Sequence, residues 1–160
     1  MFKEELVFEL SGPQLSEAEI NQIIPYNFKG KEAFVKFYHS QNGGYFRDGA
    51  YIFRKNFYKL SEDDRNSSFG IESFYYIPNS EKKYALGSIF KNWDILKESE
   101  EAEEFAQTHM PFASDAGGNP FWINLFDGQI KYTDHEDGYN PIIIAPSFYD
   151  FYTNIQGSLF

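Results

Sequence analysis

The densest run of side chains able to hold or move charge is Asp134-His135-Glu136-Asp137, closed by Gly138. Carboxylates with one imidazole are a donor set that Mg²⁺ or Mn²⁺ accepts. Adjacent loop residues rarely converge on one ion without a scaffold, so a solvated loop is the preferred reading. Asp115 with Gly117, Gly118 and Asn119 has the residue types of an ion cradle. The same types build a turn, because Asp and Asn bond nearby backbone and Gly supplies positive φ. A phosphate cradle opens a helix and keeps a lysine close. These glycines precede a strand, so the turn is preferred. His39, His109 and His135 show no metal-motif spacing, and His39 falls near a helix end, where its charge suits the dipole. Ser147 lacks a Gly-x-Ser-x-Gly setting and is expected to be a helix N-cap. No catalytic residue, metal ligand set or cofactor is predicted. The absence of cysteine excludes thiol catalysis, disulfides and thiolate metal sites.

Charge and composition point instead to a protein partner. The formal charge is -10, and aromatics make up 20% of the chain. Such a field repels nucleic acid and anionic lipid and attracts basic proteins. Acidic surfaces also simply keep proteins soluble. Tyr and Trp are strong interface anchors, so acidity with aromatics suits a binding surface. The run holding Glu98, Glu100, Glu101, Glu103 and Glu104 is a solvated helix face, or a lure that raises association rate. At 160 residues the chain is expected to be one domain, 1–160. No apolar run approaches a membrane span, and the start lacks a signal-peptide pattern, so a soluble, cytoplasmic protein is expected.

Several elements must position these groups. Ser16-Glu17-Ala18-Glu19 is a capping-box pattern, predicting a short helix through Ile20, Ile23 and Ile24 that Pro25 stops. Before it, Phe2 to Leu10 alternates weakly, as an edge strand or a first helical turn. A second helix is predicted from about Lys31 to Ser40, with Phe34, Phe37 and Tyr38 in one stripe. Asn42-Gly43-Gly44 is expected to end it by a left-handed cap. Asp48-Gly49 signals a hairpin joining Tyr45-Phe46-Arg47 to Ala50 through Phe53. Ser61 to Ser68 is expected to be a loop or one helical turn. Phe69 to Ile77 is predicted as a strand, turned at Pro78-Asn79-Ser80, with Lys83 to Leu86 returning antiparallel. Ser88 to Gln107 is predicted helical, in two pieces. The stretch from Met110 to Tyr132 then forms a hairpin. With Asp127-Gly128 as a two-residue loop, Leu125 faces Ile130 and Ile123 faces Tyr132. Phe121, Ile123, Leu125, Ile130 and Tyr132 share one face, and Trp122, Asn124, Phe126, Gln129 and Lys131 the other. Burial of either face stays open. Pro141 to Ala145 is a strand, and Ser147 starts a last helix carrying Phe148, Phe151, Tyr152 and Ile155. The order predicts an α+β fold: a mainly antiparallel sheet with helices packed on one side and at the ends.

An ordered set of these fragments resembles the SUKH superfamily, which joins fungal cell-wall assembly regulators to bacterial toxin-immunity proteins. The early match is Ile24-Pro25, the helix ending at Ser40, and Asn42, Gly43 and Gly44. The middle match is Pro111, Phe112, Ala113, Asp115, Gly118 and Asn119, then the Phe121 to Leu125 strand and Gly128. The late match is Asp134-His135-Glu136, Ile143, Ala145, Ser147, Phe148 and Phe151. Together they run from about residue 15 to 155. The first stretch, Met1 to Leu15, and the Ser61 to Ser68 loop depart from the pattern. The resemblance implies an α+β fold without a catalytic mechanism, and motif residues that are mostly structural. It also implies an antidote that binds and blocks a toxin, often a nuclease. A regulator or scaffold of the cell-wall-synthesis kind is the alternative. The expected partner is a basic toxin domain, with no nucleic acid or membrane contact. Partner binding is expected at Asp134, Glu136, Asp137 and Tyr139, with Glu101 and Glu104 as steering charges.

Overall fold

The computed structural model describes residues 2–3, 5–64, 67–79 and 85–158. The elements in order are β1 (Phe8–Glu9), α1 (Glu17–Ile23), α2 (Lys31–Ser40), β2 (Gly44–Phe46), β3 (Tyr51–Phe53), β4 (Ser68–Gly70) and β5 (Ser73–Phe74). Then come α3 (Ile89–Lys97), α4 (Glu103–Ala106), β6 (His109–Ser114), β7 (Pro120–Asn124), β8 (Ile130–Tyr132), β9 (Ile142–Ala145) and α5 (Phe148–Thr153). Among the described residues, seven strands form one antiparallel sheet in the order β1-β2-β5-β6-β7-β8-β9. β3 and β4 pair separately. The α+β expectation holds: α2 and α5 cover one face, and α3 and α4 sit at the end where β6 begins.

Local chemistry sets the helix starts. The Ser16 hydroxyl accepts from the Glu19 N–H at 3.1 Å, and the Glu19 carboxylate accepts from the Ser16 N–H at 3.0 Å. Ser147 Oγ accepts from the Asp150 N–H and donates to the Asp150 carboxylate. The helix stripes then meet over the sheet. Phe37 lies 4.9 Å from Phe74, Phe112 lies 5.3 Å from Phe148, and Phe121 lies 5.4 Å from Phe151. Such pairs add about 0.5–1.5 kcal/mol each to the burial of their area. On the opposite face Trp122 is also fully buried. Its Nε1–H donates to Thr133 Oγ1 at 2.8 Å, and Phe105 of α4 packs edge-on against it. Phe126, its partner in the mixed face, is exposed.

The central hairpin differs from expectation in register. Ile123 pairs with Ile130, and Phe121 with Tyr132. The cause is Asn124, whose Oδ1 accepts from the N–H groups of Phe126 and Asp127. This side chain rounds the corner early, so four residues, Leu125 to Gly128, make the loop. The slip is two residues, so the assignment of side chains to faces survives. Gly128 has φ +75°, and a Cβ there would collide with the Lys29 carbonyl.

The Asp48-Gly49 signal does not make a hairpin. β2 already has β1 on one edge and β5 on the other, so β3 turns away to pair with β4. The predicted strand from Phe69 to Ile77 is likewise divided into β4 and β5. Ile71 donates to the Ala50 carbonyl, while Glu72 donates to Ser114 in the main sheet. The predicted Ser80 turn and the Lys83-Tyr84 part of the returning strand lie outside the described residues, as do Arg65 and Asn66. Ala85 to Gly87 turn into α3.

The Asn42-Gly43-Gly44 motif works otherwise than as a helix cap. α2 ends at Gln41 in extended geometry, φ -154°. Asn42 is buried, and its Nδ2 donates to the Pro13 and Ile77 carbonyls at 2.7 and 2.8 Å. Its Oδ1 accepts from the Ile77 N–H at 2.7 Å. Gly43 has φ +77°, and a Cβ there would lie 2.8 Å from the Tyr75 carbonyl. Truncating Asn42 orphans three backbone groups, each worth about 1 kcal/mol or more when left unpaired. Asn42→Ala is expected to lower unfolding free energy by about 2–4 kcal/mol in urea titration. Asn42→Asp is expected not to rescue it, because both donors are lost.

Candidate functional site

Asp115 is the centre of the polar cluster. Its Oδ1 accepts from the N–H groups of Gly117 and Asn119 at 2.9 and 2.8 Å. Its Oδ2 accepts from the Tyr132 hydroxyl at 2.7 Å and from Asn119 Nδ2 at 3.2 Å. Asn119 Oδ1 accepts in turn from the His135 N–H and from His135 Nδ1. Gly118, with φ +82°, completes the turn. Burial raises the Tyr132 phenol well above its ordinary range, and the bond to Asp115 adds to the effect. Here the Asp and Asn oxygens bind backbone and a phenol, which is turn chemistry.

The Asp134 loop leaves β8 and closes into one 3-10 turn, His135–Asp137. Asp134 caps it by accepting from the Glu136 N–H at 2.8 Å. Gly138 and Tyr139 both take left-handed backbone, which aims the loop back toward β9. Asp134 and Asp137 reach one cleft of about 500 Å³, together with Asp115, Tyr132, Phe69 and Ile142. Two aromatic side chains line it, Phe69 and Tyr132, whose rings lie 4.8 Å apart. Asp137 has no hydrogen-bond partner for its carboxylate among the described residues. The arrangement can receive a cation beside the half-buried Phe69 ring.

Of the six predicted partner-binding residues, the structure brings Asp134 and Asp137 together. Glu136 and Tyr139 flank them on the same loop, with Glu136 exposed and Tyr139 half-buried. Glu101 and Glu104 lie elsewhere. Thr133 donates to the Pro120 carbonyl at one end of β7, whereas Leu125 bonds Thr108, just after α4, at the other. The two acidic groups therefore lie toward opposite ends of β7. Sequence reasoning missed Phe69, Tyr132 and Ile142 as cleft residues. Tyr132 had a signal, since an alternating strand puts it level with the Asp115 turn. Phe69 had none, because its strand reaches the cleft only by leaving the main sheet.

The histidines serve local structure. His39 Nδ1 bonds the Leu15 carbonyl at 2.8 Å. His109 is 5% exposed and stacks on Phe105 at 3.7 Å. Its Nδ1 donates to the Phe105 carbonyl, so Nε2 accepts from Asn124 Nδ2 and Lys131 Nζ. Burial and the Lys131 cation hold its pKa down, from 6.5 to about 4. Among the described residues, no three His, Asp or Glu side chains gather in a metal-holding group. No described helix is long and apolar enough to cross a membrane.

Fold and site together define an antiparallel α+β domain whose densest polar cluster sets turn geometry beside an acidic cleft lined in part by aromatic side chains. The chain belongs to the SMI1 / KNR4 family (SUKH-1), whose model matches residues 26–154. The expected resemblance is thereby established over all elements from α2 to α5. No curated protein and no solved structure matches the chain significantly.

The His109 arrangement fixes a pH dependence. Between pH 6.5 and about 4 the unfolded chain binds a proton that the folded imidazole refuses. Stability from this group is therefore complete above pH 6.5, falls as pH drops toward 4, and is level below. The loss is expected to be about 1–3 kcal/mol. Urea unfolding of the wild type and His109→Gln at pH 7.5, 6 and 4.5 measures it. The difference between the two proteins should shrink as pH falls; a constant difference would refute a neutral buried imidazole.

Proposed function

We propose that this protein is a non-catalytic binding protein that neutralises a toxin domain, of the nuclease class, in the cytosol. Its mechanism is occlusion: the acidic cleft receives a Lys or Arg from the basic active-site surface of the toxin, in place of phosphate. Family membership supports the reading, because the SUKH superfamily includes toxin-immunity proteins. The observation that carries it is the cleft, which Asp134 and Asp137 line together with Phe69 and Tyr132. Carboxylates sharing a cleft with an aromatic side chain can bind a guanidinium or ammonium by charge and ring contact at once. Glu101 and Glu104 act at longer range, raising the rate of encounter.

These roles separate in kinetics. Asp134→Asn with Asp137→Asn is expected to weaken the toxin complex by about 10–100-fold, chiefly through faster dissociation. Glu101→Gln with Glu104→Gln is expected to slow association at low salt and to leave dissociation nearly unchanged. Surface plasmon resonance at two salt concentrations distinguishes them. The partner itself is found by co-expressing the chain with toxin domains encoded beside its gene. Rescue of growth by the wild type supports the reading, and unchanged killing by every candidate would refute it. Stoichiometric recovery of a housekeeping cell-wall enzyme from unstressed cells would favour a regulator instead.

A further inference from the structure

β4 is an open sheet edge beside the acidic cleft. Among the described residues it pairs with β3 alone. The bonds around it fix which way its backbone points. Arg54 donates to the Ser67 carbonyl and Ile71 to the Ala50 carbonyl, so Ser67, Phe69 and Ile71 direct their backbone groups toward β3. By alternation Ser68 and Gly70 direct theirs the other way. Tyr51, opposite Gly70, agrees: its own N–H and carbonyl face outward, to Gln156 at 2.7 and 2.8 Å. Next in the outward row of β4 is Glu72, whose N–H donates to the Ser114 carbonyl of β6 at 2.9 Å. β6 ends at Ser114, where the Asp115 turn carries the chain back into β7. Past that point the row has no neighbour. Among the described residues, no bond reaches the outward groups of Gly70 or Ser68. Both residues are exposed, and β4 carries no proline, lysine or bulge to blunt its edge.

This row opens into the cleft, which Ser68 and Gly70 line together with Asp115, Asp134 and Asp137. An edge with unpaired N–H and C=O groups accepts an extended segment as a further strand. A three-residue edge offers too few backbone bonds to hold one by itself. The carboxylates supply the rest to a segment that carries Lys or Arg. They repel an acidic one, and a second copy of a chain with formal charge -10 is repelled with it. Resting on the toxin-binding reading above, we propose that β4 takes up an extended basic segment of the toxin domain as an added strand. It would lie on the side that β6 occupies at Glu72, with its Lys or Arg side chains meeting Asp134 and Asp137.

Nuclear magnetic resonance of the full chain tests the edge without a toxin. The probe is a capped pentapeptide alternating Lys and Val, at millimolar concentration. It is expected to shift the Ser68 and Gly70 amide protons downfield and slow their exchange with water, leaving Phe69 between them nearly unchanged. The same peptide with Glu in place of Lys is expected to do neither. No effect, equal effects of the two peptides, or equal slowing at Phe69 would overturn the proposal. With the toxin domain that the chain neutralises, Gly70→Pro removes one outward donor at an edge position that tolerates proline, and is expected to weaken the complex about 10-fold. Gly70→Ala keeps the N–H, and its Cβ would meet only the Tyr51 ring, at 3.9 Å, so it is expected to recover most of that loss. Urea unfolding checks that both variants fold; if Gly70→Pro does not, the alternating amide pattern in the wild-type complex decides. Unchanged toxin affinity in a folded Gly70→Pro would overturn the added strand and leave neutralisation standing. Failure to suppress any toxin would refute neutralisation, and the peptide titration would still read the edge.

Discussion

The structure depends on how the backbone from Tyr75 to Ile77 is paired where β5 ends. β5 is two residues long, so the chain leaves the ladder while still inside the molecule. Buried peptide groups must be paired, and here each one is. The Tyr75 N–H donates to Phe112, and its carbonyl accepts from the buried Tyr38 hydroxyl at 2.9 Å. Tyr76 bonds Gly87 and Ile89, which sets the start of α3. Ile77 is held on both sides by Asn42. Three separate parts of the chain therefore converge on three residues. Tyr38 and Asn42 lie four apart across the end of α2, so one helix terminus supplies both side chains. This explains why Gly43 follows: the helix end must come so close to Tyr75 that no Cβ fits.

The aromatic excess has a related origin. Phe34, Phe37, Tyr38, Phe74, Phe112, Phe121, Phe148 and Phe151 form one layer between α2, α5 and the sheet. The strands are short and the helices few, so large flat side chains fill the volume that longer elements would fill with aliphatic ones. Composition suggested interface anchors, and most aromatics turn out to be core. Those left at the surface include Phe69, half-buried at the acidic cleft, and Phe126, exposed in the hairpin loop.

What was legible in the sequence is what local chemistry decides. The capping box at Ser16, the span of α2 and the N-cap at Ser147 follow from a few neighbouring residues, and each is found where expected. The hairpin faces were legible although its register was not, because an even slip conserves the alternation that burial depends on. The turns at Asp48-Gly49 and Ile71-Glu72 were misread for one reason. Each is a transfer between two sheets, and whether a strand pairs with its neighbour in sequence depends on which edges are already occupied. Edge occupancy is a property of the whole fold. The wall of the cleft at Phe69 was hidden by the same cause.

In the proposed function the cleft residues are not equivalent. Asp115 holds two backbone N–H groups and the Tyr132 hydroxyl, and Asp134 caps the turn that follows it. Their charges are fixed in place by bonds the fold needs, so little ordering is required when a cation arrives. The same bonds prevent these residues from changing with the partner. Asp137 and Glu136 carry no such duty for their carboxylates, and Phe69 and Ile142 contribute only shape. A scaffold that must answer different toxins would keep the first pair constant and vary the second group. In that proposal, recognition of positive charge is built into the fold, whereas discrimination among basic partners rests on side chains that the fold leaves free.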